Sequence, residues 1–243
     1  MLNNSKIDFL KFLAISFFSV AMGYLESAVV IYLRKIYYPA GFSFPLMPMD
    51  HDLVMVEFYR EIATVIMLLG VAIIAGRNKI SRFAWFLYCF SIWDIFYYVF
   101  LKIFLGWPTS FLTWDVLFLI PVPWTGPVIT PIILALGMAI FGLFLLKVDN
   151  TKSNVTSCFT EWILLILGTI VIIVSWCWDY CRQMITNSSF SDVWTLSGNS
   201  PLFEDMNGYV PERFNWFLFG IGLIMCGFGM IIYYMKAHKT AKP

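Results

Sequence analysis

Residues 93–131 read WDIFYYVFLKIFLGWPTSFLTWDVLFLIPVPWTGPVITP. The stretch begins inside an apolar run, with Asp94 where water is expected to be absent. Tyr97, Tyr98 and Lys102 follow, and the run ends at Gly106-Trp107-Pro108. Then come Trp114, Asp115, a short apolar run and four prolines, Pro121, Pro123, Pro127 and Pro131. Phe111–Ile120 is ten residues long, too short to cross ~30 Å of hydrocarbon as a helix. The prolines break any helix after it. The segment is therefore expected to be interfacial or re-entrant. A pure anchor needs no buried carboxylate, since an ionised one costs about 2.5–3.5 kcal/mol at mid-membrane on insertion scales.

The composition agrees with a membrane setting. The chain has 243 residues, 60% hydrophobic, 19% aromatic and 13% charged, with a mean hydropathy of +0.78. Soluble domains carry roughly 25% charged residues. A formal charge of +1 without a clustered basic face argues against nucleic acid as a partner. His51 and His238 are far apart in the chain, which argues against a bis-histidine haem.

Outward from the central stretch, apolar runs predict six transmembrane helices at about 7–33, 53–75, 83–105, 128–146, 162–178 and 214–235. The fold class is thus an all-α, polytopic integral membrane protein, with the interfacial or re-entrant segment before the fourth span. The whole chain, 1–243, reads as one transmembrane domain. A run resembling a signal peptide, Phe12–Ala21, continues in pattern to Tyr32 and so reads as part of a full span. The fifth span is the most uniformly apolar and is expected to face lipid. Gly222 and Cys226 form a small-xxx-small pair, which predicts close packing on a neighbouring helix. Cys177 and Cys181 are i,i+4, a spacing that suits a disulfide poorly.

Basic residues set the expected orientation. With the N-terminus inside, the inner segments hold Lys6, Lys11, Arg77, Lys79, Arg82, Lys147, Lys152, Lys236, Lys239 and Lys242, ten in all. The outer loops, 34–52, 106–127 and 179–213, hold Arg34, Lys35, Arg182 and Arg213, four in all. The bias puts both termini in the cytoplasm. Size and the lack of eukaryotic signals suggest a bacterial inner membrane.

This orientation gathers the charges within the spans on one side. Glu26 is late in an outward-going helix, Glu57, Arg60 and Glu61 are early in an inward-going one, and Asp94 and Lys102 follow in the third. Glu57 and Glu61 are i,i+4 on one face with Arg60 in the same arc. Asp94, Tyr98 and Lys102 form a second i,i+4,i+8 stripe. Together with Asp115 these make five acids against two bases, an excess that calls for protonation or a bound cation. The candidate catalytic residues are Glu57, Glu61, Asp94, Glu26, Arg60 and Lys102. Candidate ligands for a divalent metal, the one cofactor class suggested, are Glu57, Glu61, Asp94 and His51; oxygen ligands suit hard cations and His51 would favour zinc or iron. The structural alternative pairs Arg60 with Asp94 or Glu26, and Lys102 with Asp115.

Three functions fit this pattern. The leading expectation is a membrane-embedded, enzyme-like site that handles a proton or cation on a lipid-like substrate. The second is a small proton or cation transporter or channel, for which Ser91, Thr64 and Thr169 are thin material for a path. The third is an accessory subunit, bound to a membrane protein partner or to a second copy of itself. No nucleotide loop, nucleophile elbow or zinc-protease motif is present.

Overall fold

The computed structural model describes residues 2–47, 49–119, 122–150, 159–187 and 209–240. Six helices are long and apolar enough to cross a bilayer. They are α1 (Leu2–Tyr37), α2 (His51–Ala75), α3 (Lys79–Leu105), α4 (Ile129–Asn150), α5 (Phe159–Asn187) and α6 (Trp216–Thr240). The shortest apolar span, Ile129–Asp149, has 21 residues, enough for the roughly 20 that a bilayer core requires. The chain is a multi-pass membrane protein, and the start of α1 and the end of α6 lie at the same end of the bundle.

Several boundaries move from the expected ones, each for a local reason. α1 runs past residue 33 to Tyr37 because Arg34, read as an interface residue, is buried against a carboxylate. α3 starts at Lys79 because Asn78 and Ser81 form a reciprocal capping box, which satisfies two otherwise orphaned amides. α5 continues to Asn187. Asp179, expected to open a loop, is therefore helical and buried. It is α2, by a small margin over α5, that is least covered by the rest of the protein.

The segment before α4 is a β-hairpin. β1 (Trp114–Phe118) pairs antiparallel with β2 (Trp124–Pro127), in the register Trp114↔Pro127, Asp115↔Gly126, Val116↔Thr125 and Phe118↔Trp124. The Val128 and Ile129 amides extend the pairing to the Thr113 and Phe111 carbonyls. Aromatic and β-branched residues favour strands, while Pro123 falls in the connection, where no ladder donor is needed.

α3 is the hub, packed against α1, α2 and α4, while α5 and α6 form a pair that meets β2 and touches α4. α1 and α2 flank α3 and are bridged by side chains. The termini half of α1, α2 and α3 is apolar, built on Ile15, Met22, Leu68, Ala72, Trp85 and Trp93. At the hairpin end, Asp179 accepts hydrogen bonds from the Tyr209 hydroxyl (2.8 Å) and from the Glu212 and Arg213 amides (3.0 and 3.2 Å). It thereby ties the approach to α6 down onto α5.

The small residues of α6 do make a close crossing. A Cβ at Gly168 would stand 2.6 Å from Cys226 Sγ and 2.9 Å from the Gly222 carbonyl oxygen. Replacing Gly168 by alanine is expected to destabilise the protein by about 1–3 kcal/mol through overpacking, seen as a lower midpoint in thermal unfolding followed by tryptophan fluorescence. Gly137→Ala, where nothing lies within 4 Å, is expected to leave that midpoint unchanged or slightly raised.

Candidate functional site

The sequence-predicted acids meet at the hairpin end, but in three separate arrangements. In the first, Arg60 of α2 takes two carboxylates. Its Nη1 lies 2.5 Å from Glu26 Oε2 of α1, and its Nη2 lies 2.7 Å from Glu57 Oε2, one turn away. The Arg60 Nε also donates to Glu57 Oε2 at 2.8 Å. Of the two pairings considered for Arg60, the one with Glu26 forms.

The second arrangement was not expected. Arg34 Nη2 lies 2.8 Å from Asp115 Oδ1 of β1, with both side chains almost wholly buried. Asp115 also accepts the Val116 amide (2.9 Å) and the Tyr98 hydroxyl (3.3 Å). The Arg34 guanidinium carbon lies 3.7 Å from the centroid of the Trp107 ring and 4.3 Å from that of Phe42, so cation–π attraction adds to the ion pair. Burial pushes the Asp115 carboxyl above the usual carboxylate range, and Arg34 draws it back down.

In the third, Glu61 accepts the Leu119 amide at 3.0 Å. It is buried and makes no ion pair with the described residues. Leu119 directly follows β1, so the hairpin reaches the third turn of α2.

A cavity of about 160 Å³ lies between these groups. Arg34, Arg60, Glu57, Glu61 and Asp115 line its polar part, with Tyr97. Val30, Leu33, Phe42, Leu46 and Met47 line its apolar part. The loop before α2 is held over it by the Met47 amide, which donates to the Tyr38 hydroxyl at 2.7 Å. Burial raises the Tyr38 phenol above its ordinary range, so it stays neutral there.

Two candidate residues fall outside this site. Lys102 is exposed and does not pair with Asp115. Its ammonium donates to the Gly106 and Pro108 carbonyls at 3.0 and 2.8 Å, where it caps the C-terminal end of α3 and complements the helix dipole. Asp94 does not line the cavity, and forms no hydrogen bond or ion pair with the described residues. Tyr98, on the same stripe, turns to Asp115 instead. The side chain of His51 lies outside the described residues. Among the described residues no three of His, Cys, Asp and Glu come together as metal ligands would; Glu57 is instead engaged by Arg60. The predicted set therefore contributes Glu57, Arg60 and Glu61 to the cavity, with Glu26 behind Arg60.

Arg34, Asp115 and Tyr97 complete the site. The sequence carried one signal for Arg34: Glu26, Val30 and Arg34 are spaced i,i+4,i+8, which puts them on one face of α1. Comparison of the chain with known protein families, curated proteins and solved structures finds no match.

Removing Arg34 leaves a buried, uncompensated carboxylate, which costs about 3–5 kcal/mol. Arg34→Gln is expected to lower the thermal unfolding midpoint in detergent markedly, and the double variant Arg34→Gln/Asp115→Asn to recover part of the loss. Arg34→Lys is expected to stay below wild type, because lysine lacks the planar group that stacks on Trp107.

Proposed function

We propose that this protein is a membrane-embedded, enzyme-like protein whose hairpin-end cavity takes the head of a lipid-like amphiphile. Glu61 is its proton-exchanging group. One observation carries this reading. Of the charged groups lining the cavity, Arg34 is matched by Asp115 and Arg60 by Glu57, whereas Glu61 makes no ion pair with the described residues. A buried carboxyl without an ion pair in a largely apolar cleft is an arrangement that suits a side chain for accepting and returning a proton.

The remaining lining fits that role. The Arg34–Asp115 pair is neutral, and Arg60 with Glu57 and Glu26 carries one net negative charge, so neither set offers Glu61 a free cation. The Leu119 amide orients one of its oxygens and leaves the other for a ligand. Val30, Leu33, Leu46 and Met47 offer an apolar path for a hydrocarbon tail, the mix of many apolar and a few polar groups that small-molecule sites use. In the orientation set by the basic residues, the cavity opens to the outer leaflet and both termini are cytoplasmic, as in a bacterial inner membrane.

A transport path is the weaker reading. Ser19, Ser91 and Thr64, which lie between the two ends, each donate to a carbonyl of their own helix, those of Ile15, Tyr88 and Arg60. The core beside them is apolar.

The test uses the full-length protein purified in neutral detergent, with native mass spectrometry to detect a co-purified amphiphile. Retention is expected in wild type and is expected to vary with pH. Glu61→Gln is expected to keep the fold and abolish the pH dependence. Leu33→Trp, which fills the cavity, is expected to release the amphiphile. Retention that is equally pH-dependent in Glu61→Gln would sink the assignment of Glu61, and retention unaffected by Leu33→Trp would sink the cavity.

A further inference from the structure

At the opposite end, the end that carries the termini, a larger cavity of about 460 Å³ opens between α1, α3, α4 and the turn that joins α2 to α3. Three cations line it from three separate segments: Lys11 of α1, Arg77 of the turn and Lys147 of α4. Asp149 is the one acid on its wall, and its Oδ1 is engaged by the Asn78 side chain. Among the described residues the wall thus carries three cations against one carboxylate. Lys11 donates to the Ala75 carbonyl. Its ammonium stands 5.2 Å from the Trp85 ring centroid.

The rest of the wall is apolar. Phe12, Trp85, Leu143 and Leu146 line it, and Leu143 is exposed on the flank of the bundle. A site with converging cations on one side and a lipid-facing apolar wall on the other suits one chemistry above others. A phosphate monoester or diester offers several acceptor oxygens to cations that approach from different directions, and an attached acyl chain would lie along the apolar wall. Basic pockets between transmembrane helices recognise anionic head groups in this way.

We propose that this cavity is a phosphate site, filled by the head group of an anionic phospholipid. It is independent of the hairpin-end cavity and shares no residue with it.

The test titrates the full-length protein in neutral detergent with phosphatidylglycerol or phosphatidylcholine, read by native mass spectrometry. Phosphatidylglycerol is expected to bind preferentially. Each cation near such a head group is worth about fivefold in affinity, so Lys147→Gln is expected to weaken binding about fivefold and Arg77→Gln/Lys147→Gln roughly thirtyfold. Both side chains are exposed, so these variants are expected to fold. Lys147→Arg is expected to bind as wild type, as is Lys35→Gln at the other end. A parallel titration with inorganic phosphate separates the two sources. Phosphate that displaces the lipid and raises the unfolding midpoint by itself would assign the site to free phosphate and overturn the lipid. Phosphate without effect, beside a lipid preference lost in the double variant, supports the lipid. Equal binding of the two lipids by wild type, or a preference unchanged in the double variant, would overturn the site. Glu61→Gln is expected to leave all of these readings unchanged, so the two cavities stand or fall separately.

Discussion

The ion pair between Arg34 and Asp115 is the interaction on which the hairpin end depends. It joins the last turn of α1 to a short strand 81 residues later in the chain. Two charges so deeply buried are costly to desolvate, and the pair persists only where geometry and added hydrogen bonds compensate. Here the Val116 amide and the Tyr98 hydroxyl complete Asp115, and the rings of Trp107 and Phe42, perpendicular to each other, both lie against Arg34. The pair thereby sets where the hairpin lies across the ends of α1 and α3. With the hairpin placed, Leu119 reaches Glu61 and the roof of the cavity is made.

A second polar anchor does the same for the other side of the hairpin. Thr125 of β2 meets the Tyr209 hydroxyl at 2.9 Å, and Tyr209 in turn donates to Asp179 of α5. Trp176 donates to Thr130, which donates to the Pro127 carbonyl. The hairpin is thus held from α1 on one edge and from α5 on the other. Backbone that is neither helix nor closed barrel is tolerated in a membrane protein only where its polar groups are met by protein. These two sets of side chains, with the ladder itself, meet them.

The two ends of the bundle differ in kind. The hairpin end pairs nearly every charge and leaves Glu61 without an ion pair among the described residues. The end with the termini pairs Lys236 with the buried Glu161 at 2.9 Å, yet gathers Lys11, Arg77 and Lys147 around one cavity. Between them the helices touch through apolar and small residues.

The sequence by itself determined the membrane class, the six helices and their approximate limits. Long apolar runs have only one stable outcome in a bilayer, because backbone groups there must bond within their own segment. It also determined that α6 makes a close crossing, through the small-xxx-small spacing of Gly222 and Cys226, and the shared face of Glu57, Arg60 and Glu61, through helical periodicity; that the partner is α5 came from the structure. Tertiary structure alone decided the rest. Periodicity says which residues share a helix face, not which helices meet. Lys102 and Asp115 sat near each other in sequence and in expected depth, yet Arg34, far off in the chain, took the carboxylate. The proline-rich segment could be read as helix-breaking, but its strand pairing depends on contacts with α1 and α5 that lie outside the segment. Asp94 stood on the right stripe, and only the packing of α3 left it off the cavity wall and turned Tyr98 to Asp115. Which carboxylate is matched and which is left for a ligand is a property of that packing, because a charge is neutralised by whatever the fold brings within a few ångströms of it.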